Sequence, residues 1–156
     1  MKLIVLSSSS KGNCYVLQNQ NEALVIEAGV SLKEVKKAVD FNVSKIVGVI
    51  VSHEHGDHSK YMNDFLNNRI NVYASYGTVI SCQPMTRQRN FLPLLFEDGC
   101  KCNIGRFTVL PFNVKHDASE PLGFLISHPE IGTMLFATDT YYLPYNFAGL
   151  TNISLS

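Results

Sequence analysis

The stretch IVGVIVSHEHGDHS, residues 46–59, decides the fold and the chemistry of this chain. Its first part, Ile46–Val51, is a continuous apolar run rich in β-branched residues, which is typical of a strand buried on both faces. Its second part places three of the chain's five histidines and an aspartate within residues 53–58. Neutral imidazole and carboxylate are the groups by which proteins bind zinc, manganese and iron. A solvated polar loop is the alternative, but solvation does not explain so many histidines directly after a buried strand.

Spacing within the cluster predicts two groups of ligands. His53 and His55 are two residues apart, so in an extended chain they project to one side and can bind one ion. Asp57 and His58 follow Gly56, where we expect the backbone to turn and direct them to a second ion. The helical zinc-protease pattern is excluded, because the fourth position after His53 is Asp57 rather than a histidine.

The rest of the chain predicts short strands and a few helices. Strands are expected at Lys2–Leu6, Cys14–Gln18, Ala23–Glu27, Asn71–Ala74, Lys101–Asn103, Phe107–Phe112, Leu122–His128 and Thr133–Thr138. Helices are expected at Leu32–Val39, Lys60–Asn67 and Tyr76–Cys82. Ser31 and Glu34 form a capping box for the first helix. Residues 88–95 are ambiguous and residues 141–156 lack a clear period, so the pattern predicts an α+β fold with a mixed sheet and outer helices.

Composition limits the remaining possibilities. The 156 residues allow one ordinary domain, and 46% hydrophobic content against 17% charged excludes a disordered chain. Thirteen basic and thirteen acidic residues balance, so no whole-molecule attraction to nucleic acid or anionic membrane is expected. No apolar run is long enough to cross a bilayer, and residues 1–6 lack the apolar length of a secretory signal. We therefore expect a cytoplasmic protein.

The four cysteines are Cys14, Cys82, Cys100 and Cys102, and nothing in the sequence requires them to form disulfides. Cys100 and Cys102 could bind a metal. The favoured interpretation places both thiols on one face of a strand as small hydrophobic groups.

The cluster also carries a family resemblance. The motif H-x-H-x-D-H at residues 53–58, after an apolar strand, resembles the signature of metallo-β-lactamase-fold metallohydrolases. The runs SSSKGNCY at 8–15, HDA at 116–118 and PLGF at 121–124 narrow the resemblance to the small bacterial exonuclease-like branch. It extends from the first strand to about Asp139. The resemblance implies an αββα sandwich, with residues 1–156 as a single, C-terminally short domain holding mainly its N-terminal half.

The resemblance also implies a ligand set. In that superfamily a later histidine completes the first metal site, and an aspartate after a strand bridges the two ions. His116 and Asp139 match these positions, because each follows an apolar run. His128, in a hairpin turn, is expected to be structural. The implied ligands of two divalent ions, zinc first and manganese or iron as alternatives, are His53, His55, Asp57, His58, His116 and Asp139.

Two departures from the family pattern stand out. Glu27 replaces the usual aspartate at the end of the third strand, where it could still accept a hydrogen bond from a ligand histidine. The chain has no histidine after Asp139, whereas family members supply a last one to the second metal. A truncated form, a natural fragment, or a chain completed by a partner are the explanations open from sequence.

The expected activity is hydrolysis by a metal-bound hydroxide, with Asp57 as the catalytic proton acceptor. The branch resemblance implies cleavage of phosphodiester bonds in nucleic acid, with activity impaired by the short C-terminus. Phosphate contacts could come from Lys11, Lys60, Arg69, Arg87 and Arg89, although such charges are usually only solvated. The alternative is a non-catalytic metal-binding half-domain that associates with itself or a partner to cover an exposed sheet face. A lactamase or thioesterase on the same scaffold is a third hypothesis.

Overall fold

The computed structural model describes residues 1–84 and 91–141, together with the backbone of residues 152–155. The strands are β1 (Lys2–Ser9), β2 (Gly12–Gln18), β3 (Ala23–Ile26), β4 (Ile46–Ile50), β5 (Val72–Ala74), β6 (Leu94–Leu95), β7 (Cys102–Ile104), β8 (Phe107–Asn113), β9 (Leu122–His128), β10 (Gly132–Ala137) and β11 (Asn152–Leu155). The helices are α1 (Leu32–Ala38), α2 (Gly56–Ser59), α3 (Met62–Asn67) and α4 (Tyr76–Cys82), and a 3-10 turn covers Val43–Lys45.

The strands form two mixed sheets. The first has the order β1-β2-β3-β4-β5-β6, antiparallel from β1 to β3 and parallel from β3 to β6. The second has the order β11-β10-β9-β8-β7, in which β11 alone pairs in parallel, with β10. The sheets face each other and helices cover the far side of the first, which confirms the α+β sandwich expected from the sequence.

Alternating side chains of the first sheet enter two separate cores. One face, with Leu24, Ile26 and Ile50, packs against aromatic residues of the second sheet such as Phe124 and Phe136. The opposite face of the sheet, which carries the buried residues Val16, Val25 and Val49, packs against the helices. The helices contribute Val35, Phe65 and Leu66 to this second core. Burial on both faces explains why the sequence of β4 is an unbroken apolar run. It also fixes the strand end from which the histidine cluster begins.

Most predicted elements are confirmed within a few residues, and α4 and β9 match their predicted bounds. The helix predicted at Lys60–Asn67 is confirmed as α3, which starts two residues later, whereas the short helix α2 within the polar cluster was not predicted. The capping box is wrong: Ser31 makes no side-chain cap, and the Glu34 carboxylate instead accepts hydrogen bonds from Lys37 Nζ at 2.9 and 3.0 Å.

The cysteine prediction holds in part. All four cysteines are free, and Cys102 is a half-buried residue of β7. Cys100 instead lies exposed in the turn before the strand, so the two thiols do not share a strand face.

His128 has the structural role expected for it. Its ring is buried, and its Nδ1 accepts a hydrogen bond from the Glu130 amide at 3.1 Å. The ring proton therefore lies on Nε2, which donates to Glu22 Oε1 at 2.9 Å. Glu22 Oε2 accepts from the Arg106 amide at 2.9 Å. This network joins turns of both sheets at the end of the sandwich remote from the histidine cluster.

Gly29 allows three segments to meet below the cluster. Its amide donates to the Asn13 carbonyl at 3.0 Å, and the Ala28 amide donates to the His58 carbonyl at 2.7 Å. A Cβ on Gly29 would overlap the Asp57 carbonyl oxygen and lie 2.5 Å from the Asn13 amide nitrogen. The close approach of β2, the residues after β3, and α2 therefore requires a glycine here.

None of the helices in the described ranges combines the length and apolarity needed to cross a membrane.

Substitution at Gly29 should damage the fold far more than substitution at Gly56. Gly29→Ala forces backbone atoms apart, and we expect a loss of unfolding free energy of about 2 kcal/mol or more. Gly56→Ala is the matched control, because nothing lies within 4 Å of its added Cβ, and a change within about 0.5 kcal/mol is expected. Urea denaturation of both variants measures the difference. Equal stability of the two would contradict this packing account.

Candidate metal centre

The candidate ligands come from three segments at one edge of the sandwich. They are residues 52–59 after β4, the loop between β8 and β9, and Asp139 after β10. Each segment follows the carboxyl end of its strand, where α/β sheets commonly gather their sites. The Leu122 amide donates to the Ser52 carbonyl at 2.9 Å, which ties the second sheet directly to the end of β4.

His53, His55 and His116 form the first group of ligand atoms. One ring nitrogen from each lies within 4.8 Å of the others. The ring centroid of His53 lies 4.6 Å from that of His55 and 4.8 Å from that of His116. His116 Nε2 and His55 Nδ1 are 3.3 Å apart. The structure thus unites imidazoles that are more than sixty residues apart in sequence.

His53, His58 and Asp139 form the second group, with one ligand atom from each within 4.8 Å of the others. His58 Nε2 lies 2.8 Å from Asp139 Oδ2, and His53 Nε2 lies 3.8 Å from the same oxygen. The two groups share His53, so they are adjacent parts of one centre.

Asp57 borders the second group without belonging to it. Its Oδ2 lies 3.3 Å from His58 Nε2 and accepts a hydrogen bond from Asn13 Nδ2 at 3.0 Å. Asn13 Nδ2 also lies 3.2 Å from His58 Nε2. The side chain of Asn13 therefore orients both neighbours toward the cluster.

The environment holds His53 in its neutral form. Burial, reinforced by the nearby imidazoles of His58, His55 and His116, lowers its pKa to about 3. A neutral imidazole is the form that binds a metal. For His58, burial alone would lower the pKa, but the Glu27 carboxylate, helped by Asp57 and Asp139, outweighs it and the pKa is raised.

The donor atoms fit a divalent cation. His53 Nε2 and His116 Nδ1 are buried and have no hydrogen-bond partner among the described residues. Buried polar atoms are nearly always paired, so such orphans call for an explanation. Imidazole nitrogens with a carboxylate beside them are the donor set that zinc and related metals prefer. The residues of this cluster therefore fit a divalent cation.

Groups behind the ligands orient the rings. Ser52 Oγ lies 2.8 Å from His53 Nδ1, which leaves Nε2 facing the cluster. Glu27 is fully buried, accepts a hydrogen bond from the Ser52 amide at 3.2 Å, and has Oε1 3.5 Å from His58 Nδ1. This last distance is long for a hydrogen bond, so the expected support of a ligand histidine by Glu27 is mainly electrostatic. Glu27 and Asp139 both adopt positive φ angles, 70° and 49°.

Sequence reasoning missed part of this arrangement. The sequence predicts no site role for Asn13, which lies in the run SSSKGNCY at 8–15, or for Ser52, although each contacts a candidate ligand. The backbone does change direction at Gly56, as predicted, because α2 begins there, and it does so without a positive φ. The proximity of Asn13 to the cluster depends on Gly29, which no local pattern in the sequence reveals.

Comparison with known proteins agrees with the fold. A model of the metallo-beta-lactamase superfamily matches residues 10–78. The chain is 29% identical over 155 residues to exodeoxyribonuclease YycJ of Bacillus anthracis, covering 94% of this chain and 57% of that protein. It is 25% identical over 160 residues to exodeoxyribonuclease WalJ of Streptococcus pneumoniae, covering 96% and 58%. The chain thus spans less than two thirds of the length of these relatives.

Among solved structures, the metallo-beta-lactamase fold protein YhfI from Bacillus subtilis superposes with a TM-score of 0.71 at 16% identity. The match covers 88% of this chain and 61% of that one. At this identity the likeness concerns the fold alone. Taken with the sequence matches and the histidine cluster, it leads to one conclusion: the chain has the metallo-β-lactamase fold and is similar in sequence to that superfamily and to its bacterial exonuclease-like branch.

Proposed function

We propose that this chain is a dinuclear metal-dependent hydrolase that cleaves phosphodiester bonds in nucleic acid. The observation that carries the proposal is the convergence of His53, His55 and His116, with His58 and Asp139 beside them, around unpaired nitrogen atoms. The names of the curated relatives, exodeoxyribonucleases, supply the substrate class. Zinc is the proposed metal, with manganese or iron as alternatives, because imidazole dominates the donor set.

The side chains divide into three proposed tasks. His53, His55 and His116 hold one ion and leave a position open, which is typical of catalytic rather than structural sites. Asp57, His58 and Asp139 would hold the second ion; Asp57 Oδ2 and Asp139 Oδ2 lie 3.3 and 2.8 Å from His58 Nε2. Divalent ions bound in this way lower the pKa of water to about 7 and neutralise charge on a phosphodiester.

Asp57 is the proposed proton acceptor. Its carboxylate remains partly exposed, so a substrate can approach it, and Asn13 fixes its orientation through Oδ2. A positioned carboxylate of this kind can take a proton from the attacking water and pass it to the leaving group.

The rim of the site offers contacts for a nucleic acid strand. The ring of Tyr141 is 80% exposed and its centroid lies 5.9 Å from that of His116, where a base could stack on it. Lys60, at the end of α2, donates through Nζ to the Lys11 carbonyl at 3.2 Å, so two exposed lysines adjoin the helix that carries Asp57. Arg69 lies at the end of α3 with a φ of 58°, whereas Arg87 and Arg89 lie outside the described residues.

We also propose that residues 1–156 form a single domain, since side chains of both sheets share one core. Four free cysteines support a reducing compartment, in keeping with the cytoplasmic location proposed from the sequence. We also propose that the chain associates with itself or with a partner chain. Among the described residues, large apolar side chains that such an association could cover include Tyr76, Ile80, Leu92, Leu94 and Leu95.

Metal removal should abolish phosphodiester hydrolysis. Dialysis against a chelator is expected to reduce turnover of bis-p-nitrophenyl phosphate and of end-labelled DNA at least about 100-fold, because metal ions supply the hydrolytic chemistry. Adding back Zn²⁺ or Mn²⁺ should restore both activities. Cleavage of nitrocefin or a thioester in place of the phosphodiesters would favour the lactamase or thioesterase hypothesis. Bound metal without turnover of any of these substrates would favour the non-catalytic metal-binding half-domain.

Ligand substitutions should each remove about one ion from a chain that binds about two. His116→Ala removes a nitrogen from the first group, and Asp139→Asn weakens the carboxylate of the second. Asp117→Asn is the control, because Asp117 is exposed and adjoins His116 without belonging to either group. Elemental analysis of purified variants measures the ion content. Full metal content in both ligand variants would contradict the proposed site.

A further inference from the structure

His116 is the candidate ligand whose position depends on a surface loop. We define the His116 loop as residues 115–121, which connect β8 to β9. The Ala118 amide donates to the His116 carbonyl at 3.0 Å, so the loop turns sharply just after the ligand. The other candidate ligands either lie in the segment after β4 or directly follow β10. The first metal group is therefore complete only when this loop is held against residues 53–55.

Glu54 makes that connection. It lies between the ligands His53 and His55, and its Oε1 accepts a hydrogen bond from the Ser119 amide of the His116 loop at 2.7 Å. Its own backbone is held as well, because Ser59 Oγ donates to the Glu54 carbonyl at 2.7 Å. One side chain thus links the two segments that supply the three histidines.

Glu54 is not itself part of either ligand group among the described residues. Its carboxylate is directed to a backbone amide, and charge-assisted hydrogen bonds of this kind are short and strong. Its hydrogen bond to Ser119 would affect a bound ion through the placement of His116, whereas its charge would act on the site directly.

We propose that Glu54 is a positioning residue that fixes the His116 loop against the histidine motif and thereby strengthens metal binding at His53, His55 and His116. This inference rests on the metal-binding part of the proposed function. Partners of this type, one step away from the metal, typically affect metal affinity 10–100-fold. A similar change is expected when the link to Ser119 is broken.

A second glutamate on the same loop provides a control. Glu120 Oε2 accepts a hydrogen bond from the Gly77 amide at 2.7 Å, and its carbonyl accepts from Ser75 Oγ at 2.8 Å. These bonds attach the loop to the start of α4, which carries none of the candidate ligands. Shortening the side chain of Glu120 therefore loosens the loop without separating the ligand segments from each other.

Two conservative substitutions separate the hydrogen bond from the charge. Glu54→Gln keeps the reach and an acceptor oxygen but removes the charge, whereas Glu54→Asp keeps the charge but is one methylene shorter. Both are compared with Glu54→Ala and Glu120→Asp by calorimetric titration of the metal-free protein with Zn²⁺. Titration with Co²⁺, followed by its visible absorption spectrum, reports the coordination geometry independently of activity. Circular dichroism checks that each variant is folded.

The proposal expects Glu54→Gln and Glu120→Asp to bind Zn²⁺ within about 3-fold of the unchanged protein. Glu54→Asp and Glu54→Ala should bind it about 10–100-fold more weakly at one site, with an altered Co²⁺ spectrum.

Three results would overturn the role of Glu54. One is unchanged affinity in Glu54→Asp and Glu54→Ala. Another is the reverse order of Zn²⁺ affinities, in which Glu54→Gln binds Zn²⁺ more weakly and Glu54→Asp binds it as tightly as the unchanged protein. That order would indicate an effect of charge. The last is global unfolding of Glu54→Asp. If the unchanged protein binds no Zn²⁺ at all, the proposed function fails with it, which distinguishes the two failures.

Discussion

The structure depends on the crowding of imidazoles at an edge where two sheets meet. His53 is almost fully buried, and its pKa of about 3 keeps it uncharged beside three other histidines. Leaving nitrogen atoms of His53 and His116 buried and unpaired costs free energy that a protein normally avoids. A divalent cation held by His53 Nε2 would remove that cost for the His53 ring. The same geometry therefore explains both why the cluster is unfavourable alone and why it fits a metal.

The scaffold supplies this crowding through close backbone contacts rather than through the motif alone. β4 is buried on both faces, so its carboxyl end is fixed in position, and the segment after it has little freedom. Gly29 lets α2 and the start of β2 approach closely enough for Asn13 to reach Asp57 and His58. The first sheet thus positions one set of ligands, and the second sheet adds His116 and Asp139 from the ends of β8 and β10.

Local sequence patterns predicted the features that depend on neighbours along the chain. The apolar run before the cluster predicts β4, and the spacing of His53 and His55 predicts that both rings project to one side, where their nitrogens lie close together. The role of His116 came from resemblance to a family, because no short-range pattern connects it with residues 53–58. Asn13 and the loop contact of Glu54 could not be predicted, since each depends on segments brought together only by the fold. Ser52 contacts its neighbour His53, but a serine beside a histidine carries no specific sequence signal. The failed capping box at Ser31 has a local cause: Glu34 pairs with Lys37, three residues further along the same helix.

X-ray absorption at the zinc edge of the Zn²⁺-loaded protein tests the central claim most directly. The account predicts a first shell of nitrogen and oxygen at about 2.0–2.1 Å, with the outer-shell scattering of about three imidazoles at one ion. Scattering from sulfur at about 2.3 Å would place the metal on cysteine instead. That result, or a shell without imidazole scattering, would contradict the convergence of these histidines on a shared cation.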